Sequence, residues 1–170
     1  MTTRNSAEQG FSKITQSELD KLTREEMTPF VAASVGRLSN LHPHWMLLRV
    51  ETPLGIPSSR LIVLWMLSSR ESMSMGDIAT AIDLTPRGVT RIVDGLESEG
   101  LARRVVSESD RRVKTVKLTA KGRRFVGSAL PVALREFSHL FSVLDRQEAL
   151  EFVRVLEKLT DRMKSEIDRS

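Results

Sequence analysis

Four polar residues near the middle of the chain have side chains and a spacing suited to contact with a nucleic acid. Thr85, Arg87, Thr90 and Arg91 fall within two turns of a predicted helix. An Arg side chain can donate two hydrogen bonds to a guanine in the major groove, and a helix N-terminus can approach a phosphate. A single exposed Arg is more simply a solvated charge, so the inference depends on the elements that surround these residues.

Two short helices joined by a tight turn are predicted to position them. Ser74 and Asp77 have the spacing of a capping box at the start of the first helix, with Asp in place of the commoner Glu. We expect the second helix to begin at Thr85 as N-cap, with Pro86 in the first helical position, and to stop at Gly100. Four apolar residues at helical spacing should face the core: Val89, Ile92, Val93 and Leu96. The remaining faces, which carry Arg87, Thr90, Arg91 and Asp94, are then open to solvent or a ligand.

A two-stranded hairpin is predicted after Gly100. The runs LARRVV and VKTVKL are rich in β-branched residues and flank the polar tip SESDRR. Met73 is expected to add a short third strand. Inward packing is predicted for Val105, Val113, Val116 and Leu118, whereas Arg111, Lys114 and Lys117 should remain outside.

Positive charge is concentrated in this part of the chain. Residues 85–124 contain eleven Lys and Arg against five Asp and Glu, a net charge of +6, whereas the whole chain carries +4. A localised basic surface is typical of proteins that bind a polyanion.

The order of helix, turn, helix and hairpin resembles the MarR family of winged helix-turn-helix transcriptional regulators. The family's wing has an Asp, any residue and an Arg, followed by a strand that ends in Leu-Thr-x-x-Gly. The run GLARR at 100–104 of this chain strengthens the resemblance. The layout is similar over roughly residues 29–159, but the diagnostic residues lie between 74 and 122. The wing pattern is matched at Asp110, Arg112, Leu118, Thr119 and Gly122.

The resemblance implies a mainly α fold, formally α+β: a winged helix-turn-helix with N- and C-terminal dimerisation helices. We expect a flexible tail at 1–16, N-terminal helices for dimerisation and a ligand cleft at 17–57, the winged domain at 58–122, and C-terminal dimerisation helices at 119–170. The N-terminal part should hold a short helix from Ser17 to Met27 and a helix from Pro29 to Asn40, with a kink or break at Pro43.

Apolar patterns give further expectations for the other helices. The run LIVLWML at 61–67 predicts a helix covered on nearly every side. Thr119 should cap a helix that Pro131 bends, and Asp145 with Glu148 should cap the last helix. The buried side of the first of these two helices should carry Phe125, Leu130, Leu134, Phe137 and Phe141, and the last should carry a coiled-coil type seam of Ala149, Phe152, Leu156, Leu159 and Met163.

Composition excludes several other classes of protein. The chain has no Cys, which excludes disulfides, thiolate metal sites and thiol-based sensing. No stretch resembles a signal peptide or approaches the ~20 apolar residues of a membrane span, so we expect a cytoplasmic protein. His139 lies far in sequence from His42 and His44, which argues against a metal site, and no cofactor or enzyme motif is present.

The hypothesis for DNA binding assigns each candidate residue a role. Arg87, Thr90 and Arg91 would contact bases or phosphates in the major groove, with Thr85 and Pro86 near the backbone. By the resemblance, Arg112 would enter the minor groove, oriented by Asp110, while Arg111 and Lys114 would contact phosphates. Because the apolar helices exceed what one small domain needs, the partner should be a second copy, and the double-stranded operator a pseudo-palindrome with half-sites ~34–36 Å apart.

A small-molecule effector is also expected from the resemblance, in a cleft between the dimerisation helices and the winged domain. An imidazole, a cation and aromatic walls would suit a small aromatic anion. The alternative interpretation, which the apolar run around Trp65 favours, places Trp65 in the core and treats His-x-His as a polar helix start. The candidate lining residues are His42, His44, Trp45, Arg49, Trp65 and Met66.

The competing function is a winged-helix module that contacts proteins or compacts DNA without sequence preference. A sequence-specific repressor must prefer its operator over random DNA by ~10³ or more, whereas an architectural protein need not. The affinity ratio therefore discriminates between the two.

Overall fold

Most of the described chain is helical, and one small antiparallel sheet accompanies the helices. The computed structural model describes residues 15–106 and 114–169. The chain divides into two units, Met1–Pro53 and Leu54–Ser170. Asp110, Arg111, Arg112 and Val113 lie outside the described residues, as does nearly all of the expected tail.

The first unit is dominated by one long helix. Helix α1 spans Gln16–Leu19, α2 spans Arg24–Met46, and a π-helical segment follows at Leu47–Glu51. Thr23 caps α2, because its hydroxyl accepts from the backbone N–H of Glu26 at 3.3 Å while the Glu26 carboxylate accepts from the Thr23 N–H at 2.9 Å. These bonds, first the backbone one and then that from the Thr23 hydroxyl, lower the pKa of Glu26.

The predicted division of this region was wrong. The helices expected at 17–27 and 29–40 are replaced by the short α1 and by a single helix that contains both Pro29 and Pro43. A proline removes one backbone hydrogen bond, but a helix of 23 residues keeps its others on both sides. The change in helical pattern comes one turn after Pro43, where the Leu47 N–H donates to the carbonyl oxygens of Pro43 and His44.

Helix α2 exposes an apolar stripe. Its members recur three or four residues apart, the spacing of one helical face. They are Met27, Val31, Val35, Leu38 and Leu41.

The second unit contains the sheet and the remaining helices. Helix α3 spans Thr52–Leu54, where the units divide, and the chain continues through α4 (Ser58–Ser68), β1 (Met73–Ser74), α5 (Met75–Ala81), α6 (Pro86–Ser98), β2 (Ala102–Val106), β3 (Lys114–Leu118), α7 (Ala120–Phe141) and α8 (Arg146–Ile167). The strand order is β1-β3-β2 and every pairing is antiparallel. Met73 pairs with Val116, which confirms the expected third strand.

The core of this unit lies between α4, α5, α6 and the sheet. Val89, Ile92, Val93 and Leu96 are all buried, as their spacing predicted. The expectation that α4 is covered all round was wrong, because Ile62 is 40% exposed and Trp65 is 49% exposed. Seven consecutive apolar residues span nearly two helical turns, so a core on one side leaves part of the run outside.

Strand register corrects one detail of the hairpin. Val116 and Leu118 are buried as predicted, but Val105 pairs with Thr115, so alternation puts it on the opposite face from Val116. Lys114 is exposed and shares the face of Val116, two residues away. Lys117 donates to the Glu71 carboxylate, with 3.0 Å between Nζ and Oε1.

The two C-terminal helices begin where the sequence indicated. The Thr119 hydroxyl accepts from the Gly122 N–H at 2.9 Å, and Asp145 with Glu148 forms a capping box. Helix α7 continues through Pro131. Leu134 and Phe141, which were predicted to lie on the buried side of α7, are exposed in the single chain. The members of the predicted coiled-coil seam of α8 that are exposed in the single chain are Phe152, Leu156, Leu159 and Met163. Within the described residues, no helix is both long and apolar enough to cross a membrane.

Candidate nucleic-acid interface

Helices α5 and α6 form the predicted helix-turn-helix. The backbone N–H of Asp77 donates to the Ser74 hydroxyl at 3.0 Å, and the Ser74 N–H donates to the Asp77 carboxylate at 3.2 Å. Asp83, in the turn, has a φ of 51°, the left-handed conformation that Asp tolerates better than most residues. The Thr85 hydroxyl accepts from the Gly88 N–H at 3.2 Å, which fixes the start of α6. The two caps and the turn therefore hold α6 in a defined direction.

The first two turns of α6 present exposed polar side chains. Arg87, Thr90 and Arg91 are all exposed, and Arg87 and Arg91 lie one turn apart on the same face. Within residues 15–106 and 114–169, neither Arg has an ion-pair partner. The Thr90 hydroxyl donates to the Pro86 carbonyl oxygen at 2.9 Å, so its lone pairs remain able to accept. Two cations and one acceptor therefore face outward from this half of the helix.

The second half of α6 is held by Arg104 on β2. Its Nη2 lies 2.7 Å from the Asp94 carboxylate, Nη1 pairs with Glu97, and the Arg104 backbone N–H donates to Glu97 at 2.6 Å. Burial opposes the charge of Arg104, but hydrogen bonds and attraction from Asp94 and Glu97 outweigh it and raise the pKa of the guanidinium. Asp94 was predicted to be open to solvent or a ligand; it is still largely exposed, but it carries this ion pair.

A second arginine reaches the end of α6 from α4. Arg60 pairs with Glu99, the C-cap residue of α6, and its guanidinium lies over Gly95. A Cβ at Gly95 would overlap that guanidinium. Because Gly95 has no side chain, the Arg60 side chain can cross the helix at this position.

The residues of the Leu-Thr-x-x-Gly pattern join the end of α6 to the start of α7. The Thr119 N–H donates to the Leu101 carbonyl oxygen at 3.0 Å, and its hydroxyl donates to that of Gly100 at 2.7 Å. Gly100 has a φ of 68°, as expected for the residue after a helix. A Cβ at Gly122 would overlap the Leu101 carbonyl oxygen, so only glycine allows this close approach. These residues of the pattern are structural.

The hairpin adds cations beside α6. Lys114 is exposed, as predicted, and so is Arg103, which sequence reasoning did not select. Asp110, Arg111 and Arg112 lie outside the described residues, and their roles stay predictions. The sequence also failed to predict the structural role of Arg104, although this residue is the last of the GLARR run. No sequence pattern indicated a role for Arg60.

The candidate effector residues are divided between the two units. His42, His44 and Arg49 are exposed and Trp45 is half-buried in the first unit, whereas Trp65 and Met66 belong to α4 in the second. The interpretation of Trp65 as a core residue was wrong, since about half of it is exposed. Across the described ranges, no group of three or more His, Asp or Glu side chains is placed to hold a metal ion.

Comparison with known proteins gives consistent similarities. The MarR family model matches residues 56–114. The HTH-type transcriptional repressor Rv2887 of Mycobacterium tuberculosis is 31% identical over 108 residues, covering 64% of this chain and 78% of that protein. The transcriptional repressor MprA of Escherichia coli K12 is 28% identical over 159 residues, 90% of each chain.

A solved structure supports the same fold. It is the structure of BpsR from Bordetella bronchiseptica, a protein whose DNA binding is regulated by 6-hydroxynicotinic acid. Its TM-score with this chain is 0.70 at 23% identity, and the match covers 77% of this chain and 93% of that one.

Proposed function

Because the chain belongs to the MarR family of winged helix-turn-helix transcriptional regulators, we propose that it is a sequence-specific, ligand-responsive repressor that binds a pseudo-palindromic DNA operator as a homodimer. The observation that carries the proposal is the division of α6. Its first two turns present Arg87, Thr90 and Arg91 without ion-pair partners among the described residues, while Arg60 and Arg104 hold its other end. A helix that is fixed at one end and cationic at the other is suited to insertion into a major groove.

Each DNA contact has a proposed chemistry. Arg87 and Arg91 would donate to guanine or to phosphate, and Thr90 would accept from a base amino group. Thr85 and Pro86 would bring the helix start close to the backbone. Outside α6, Lys114 and Arg111 would contact phosphates, and Arg112, oriented by Asp110, would enter the minor groove.

The homodimer is supported by the exposed apolar stripes. Residues at helical spacing along α2, including Val31, Val35 and Leu38, are about half exposed, and Leu150 and Val153 on α8 are exposed to a similar extent. Extended apolar faces on long helices mark interaction surfaces, and a second identical chain would supply a partner for the faces of both α2 and α8. Two copies would present two α6 helices to half-sites about one helical turn apart.

The role is DNA binding without catalysis, and it would be exercised in the cytoplasm, in the same compartment as the operator. The two relatives named as transcriptional repressors support a negative effect on transcription. An architectural protein with the same fold would lack sequence preference.

The test is the preference for one sequence. An operator is selected from a random duplex library, and binding of the purified protein is measured by fluorescence anisotropy against a scrambled duplex. We expect a preference of ~10³ or more, with one dimer on each operator. Equal affinity for both duplexes would refute a sequence-specific function.

Two variants test the wing within the same titration. Arg112→Ala should weaken operator binding severely and leave the mass of the dimer and the melting temperature unchanged; unchanged affinity would refute its role. Lys114→Ala should weaken binding to all duplexes and lower the slope of log K against log salt by about one. Arg24→Ala, an exposed site on α2, serves as the matched control and should change neither.

We also propose that a small aromatic anion regulates DNA binding. The structural similarity to BpsR, whose DNA binding is regulated by 6-hydroxynicotinic acid, supports an effector of that class. Calorimetry against a panel of aromatic carboxylates should detect a ligand whose affinity falls about tenfold or more in Arg49→Ala, because a charge-assisted hydrogen bond is lost. Absence of binding by every member of the panel contradicts the proposal. The proposed lining in the first unit is His42, His44, Trp45 and Arg49.

A further inference from the structure

The third residue of α6 is a glycine, although other helices of the chain carry a carboxylate at this position. Helices α2, α5 and α8 each complete a capping box, with Glu26, Asp77 and Glu148 as their third residues. Helix α6 begins with the same kind of cap, because the Thr85 hydroxyl accepts from the backbone N–H of the third residue. That residue is Gly88, and the first turn of α6 contains no acidic side chain. The capping box of α6 is therefore only half formed.

The packing of the chain does not explain Gly88. Helix α7 also has a glycine as its third residue, but a Cβ at Gly122 would overlap the Leu101 carbonyl oxygen. A Cβ at Gly88 would lie 3.4 Å from the Thr85 Oγ1 and 3.7 and 3.8 Å from two carbons of Leu84, which are ordinary van der Waals separations. The backbone at Gly88 is helical. Within the part of the chain that the structure describes, nothing requires a glycine at this position.

Gly88 lowers the stability of α6 in two ways. Glycine loses more conformational freedom on folding than any other residue, so alanine would give a more stable helix. A Glu or Gln would complete the capping box, and a carboxylate would also interact favourably with the positive end of the helix dipole. Because both gains are absent on the helix that is proposed to enter DNA, the missing side chain is best explained by binding.

The position of Gly88 on α6 indicates what the missing side chain allows. An α-helix with its side chains is roughly 10–12 Å across, and the major groove is about 12 Å wide, so the edges of an inserted helix come close to the sugar-phosphate walls. Gly88 is partly exposed, beside Arg87 and one turn before Arg91. A side chain here would widen the helix at its edge, and a carboxylate would in addition repel the phosphates.

From this arrangement we propose that Gly88 is a specificity-determining residue, whose missing side chain lets α6 enter the major groove deeply enough for Arg87, Thr90 and Arg91 to reach base edges. The inference rests on the proposed function, sequence-specific binding of an operator. Non-specific complexes are held mainly by phosphate contacts and do not need the same depth. A side chain at position 88 should therefore weaken binding to the operator more than binding to random DNA.

The experiment measures the affinities for the selected operator and for a scrambled duplex, together with the melting temperature. Gly88→Ala should raise the melting temperature by about 1–3 °C, because the helix gains stability. It should weaken operator binding about tenfold or more, as a mismatched base pair does, and change the affinity for the scrambled duplex by less than about twofold.

Gly127→Ala is the matched control. Gly127 is an exposed residue within α7, and a Cβ added there would meet no atom within 4 Å. This substitution should raise the melting temperature to a similar extent and leave both affinities unchanged. It separates the effect of a more stable helix from the effect of volume at the edge of α6.

A second pair of variants isolates charge. Gly88→Gln and Gly88→Glu add side chains of nearly equal size, and either one can complete the capping box with Thr85. We expect the Glu variant to bind both duplexes more weakly than the Gln variant, by a factor that shrinks as salt is raised. Equal affinities of the two variants at low salt would overturn the contribution of charge.

Three other outcomes would overturn the role of Gly88. They are wild-type affinity of Gly88→Ala for the operator, an equal loss on the operator and the scrambled duplex, or a melting temperature that falls in Gly88→Ala and rises in Gly127→Ala. The wild-type protein in the same titration separates the two proposals. If it prefers the operator and Gly88→Ala does so equally, only the role of Gly88 fails; if it has no preference, the proposed function fails and this role with it.

Discussion

The two halves of α6 use the same kind of side chain in opposite ways. In the first half, Arg87 and Arg91 are exposed and have no ion-pair partner within the described ranges. In the second half, the helix supplies carboxylates, Asp94, Glu97 and the C-cap Glu99, and arginines from β2 and α4 bind them. The positive charges that hold the helix come from outside it, and those proposed to bind DNA belong to the helix itself.

This difference separates structural arginines from binding ones. Arg104 has 24% of its side chain exposed and contacts two carboxylates, so its charge is neutralised by acidic groups of the same domain. An ion pair of this kind neutralises acidic groups on a helix that must approach a polyanion. The arginines that remain without a carboxylate are then the ones available to the operator.

The largest expected effect follows from breaking the anchored half. Arg104→Ala removes a cation that carries charge-assisted hydrogen bonds to two carboxylates, and we expect the free energy of unfolding to fall by about 2 kcal/mol. Operator affinity should fall as well, because Asp94 and Glu97 then stand unpaired on the DNA-binding helix. Urea denaturation measures the first effect, and anisotropy measures the second.

The neighbouring Arg103 provides the control for this prediction. It lies on the same strand and is exposed, so Arg103→Ala should change the free energy of unfolding by less than about 0.5 kcal/mol. If Arg104→Ala were as stable as Arg103→Ala, the anchoring role of Arg104 would be wrong.

The first half of α6, which is proposed to contact the operator, should show the opposite pattern: a loss of affinity without a loss of stability. Arg91→Ala removes a side chain without ion-pair partners in the described structure, so we expect stability to change by no more than about 0.5 kcal/mol. Operator binding should weaken by about 1–3 kcal/mol, and discrimination at one base pair should relax if the contact is to a base. A variant library of operators, measured by competition, separates base contact from phosphate contact. Loss of stability equal to the loss of affinity would contradict the division of α6.

Much of this region could be predicted from sequence because its signals are local. Thr85 with Pro86 marks a helix start, and the capping box at Ser74 and the glycine at 100 mark the other boundaries within a few residues. The burial of Val89, Val93 and their neighbours follows from a period of 3.6 residues. Each of these signals depends on residues that are close together in the chain.

The contacts that were missed join residues distant in sequence. Arg60 and Glu99 are 39 residues apart, and nothing in the local pattern around either indicates the other. The predictions that Trp65 is buried and that two separate helical segments meet at Pro43 were wrong for a related reason. A run of apolar residues does not reveal how much of a helix is covered by neighbouring elements. A single proline does not reveal whether the hydrogen bonds on either side of it are enough to keep a helix continuous.

The smallest expected effect sharpens the account of the anchored half. In Gly95→Ala the new Cβ would overlap the Arg60 guanidinium, which is the far end of a flexible side chain and can swing aside. The helix gains about 1 kcal/mol from replacing glycine, and it loses a partly exposed ion pair with Glu99 that is worth up to about 1 kcal/mol. We therefore expect a net change in unfolding free energy within about 0.5 kcal/mol of zero, measured by urea denaturation. In an Arg60→Ala background the clash and the ion pair are both absent, so the same substitution should stabilise the protein. If Gly95→Ala instead destabilised both backgrounds equally, Gly95 would be required by the backbone of α6 and not by the arginine that crosses it.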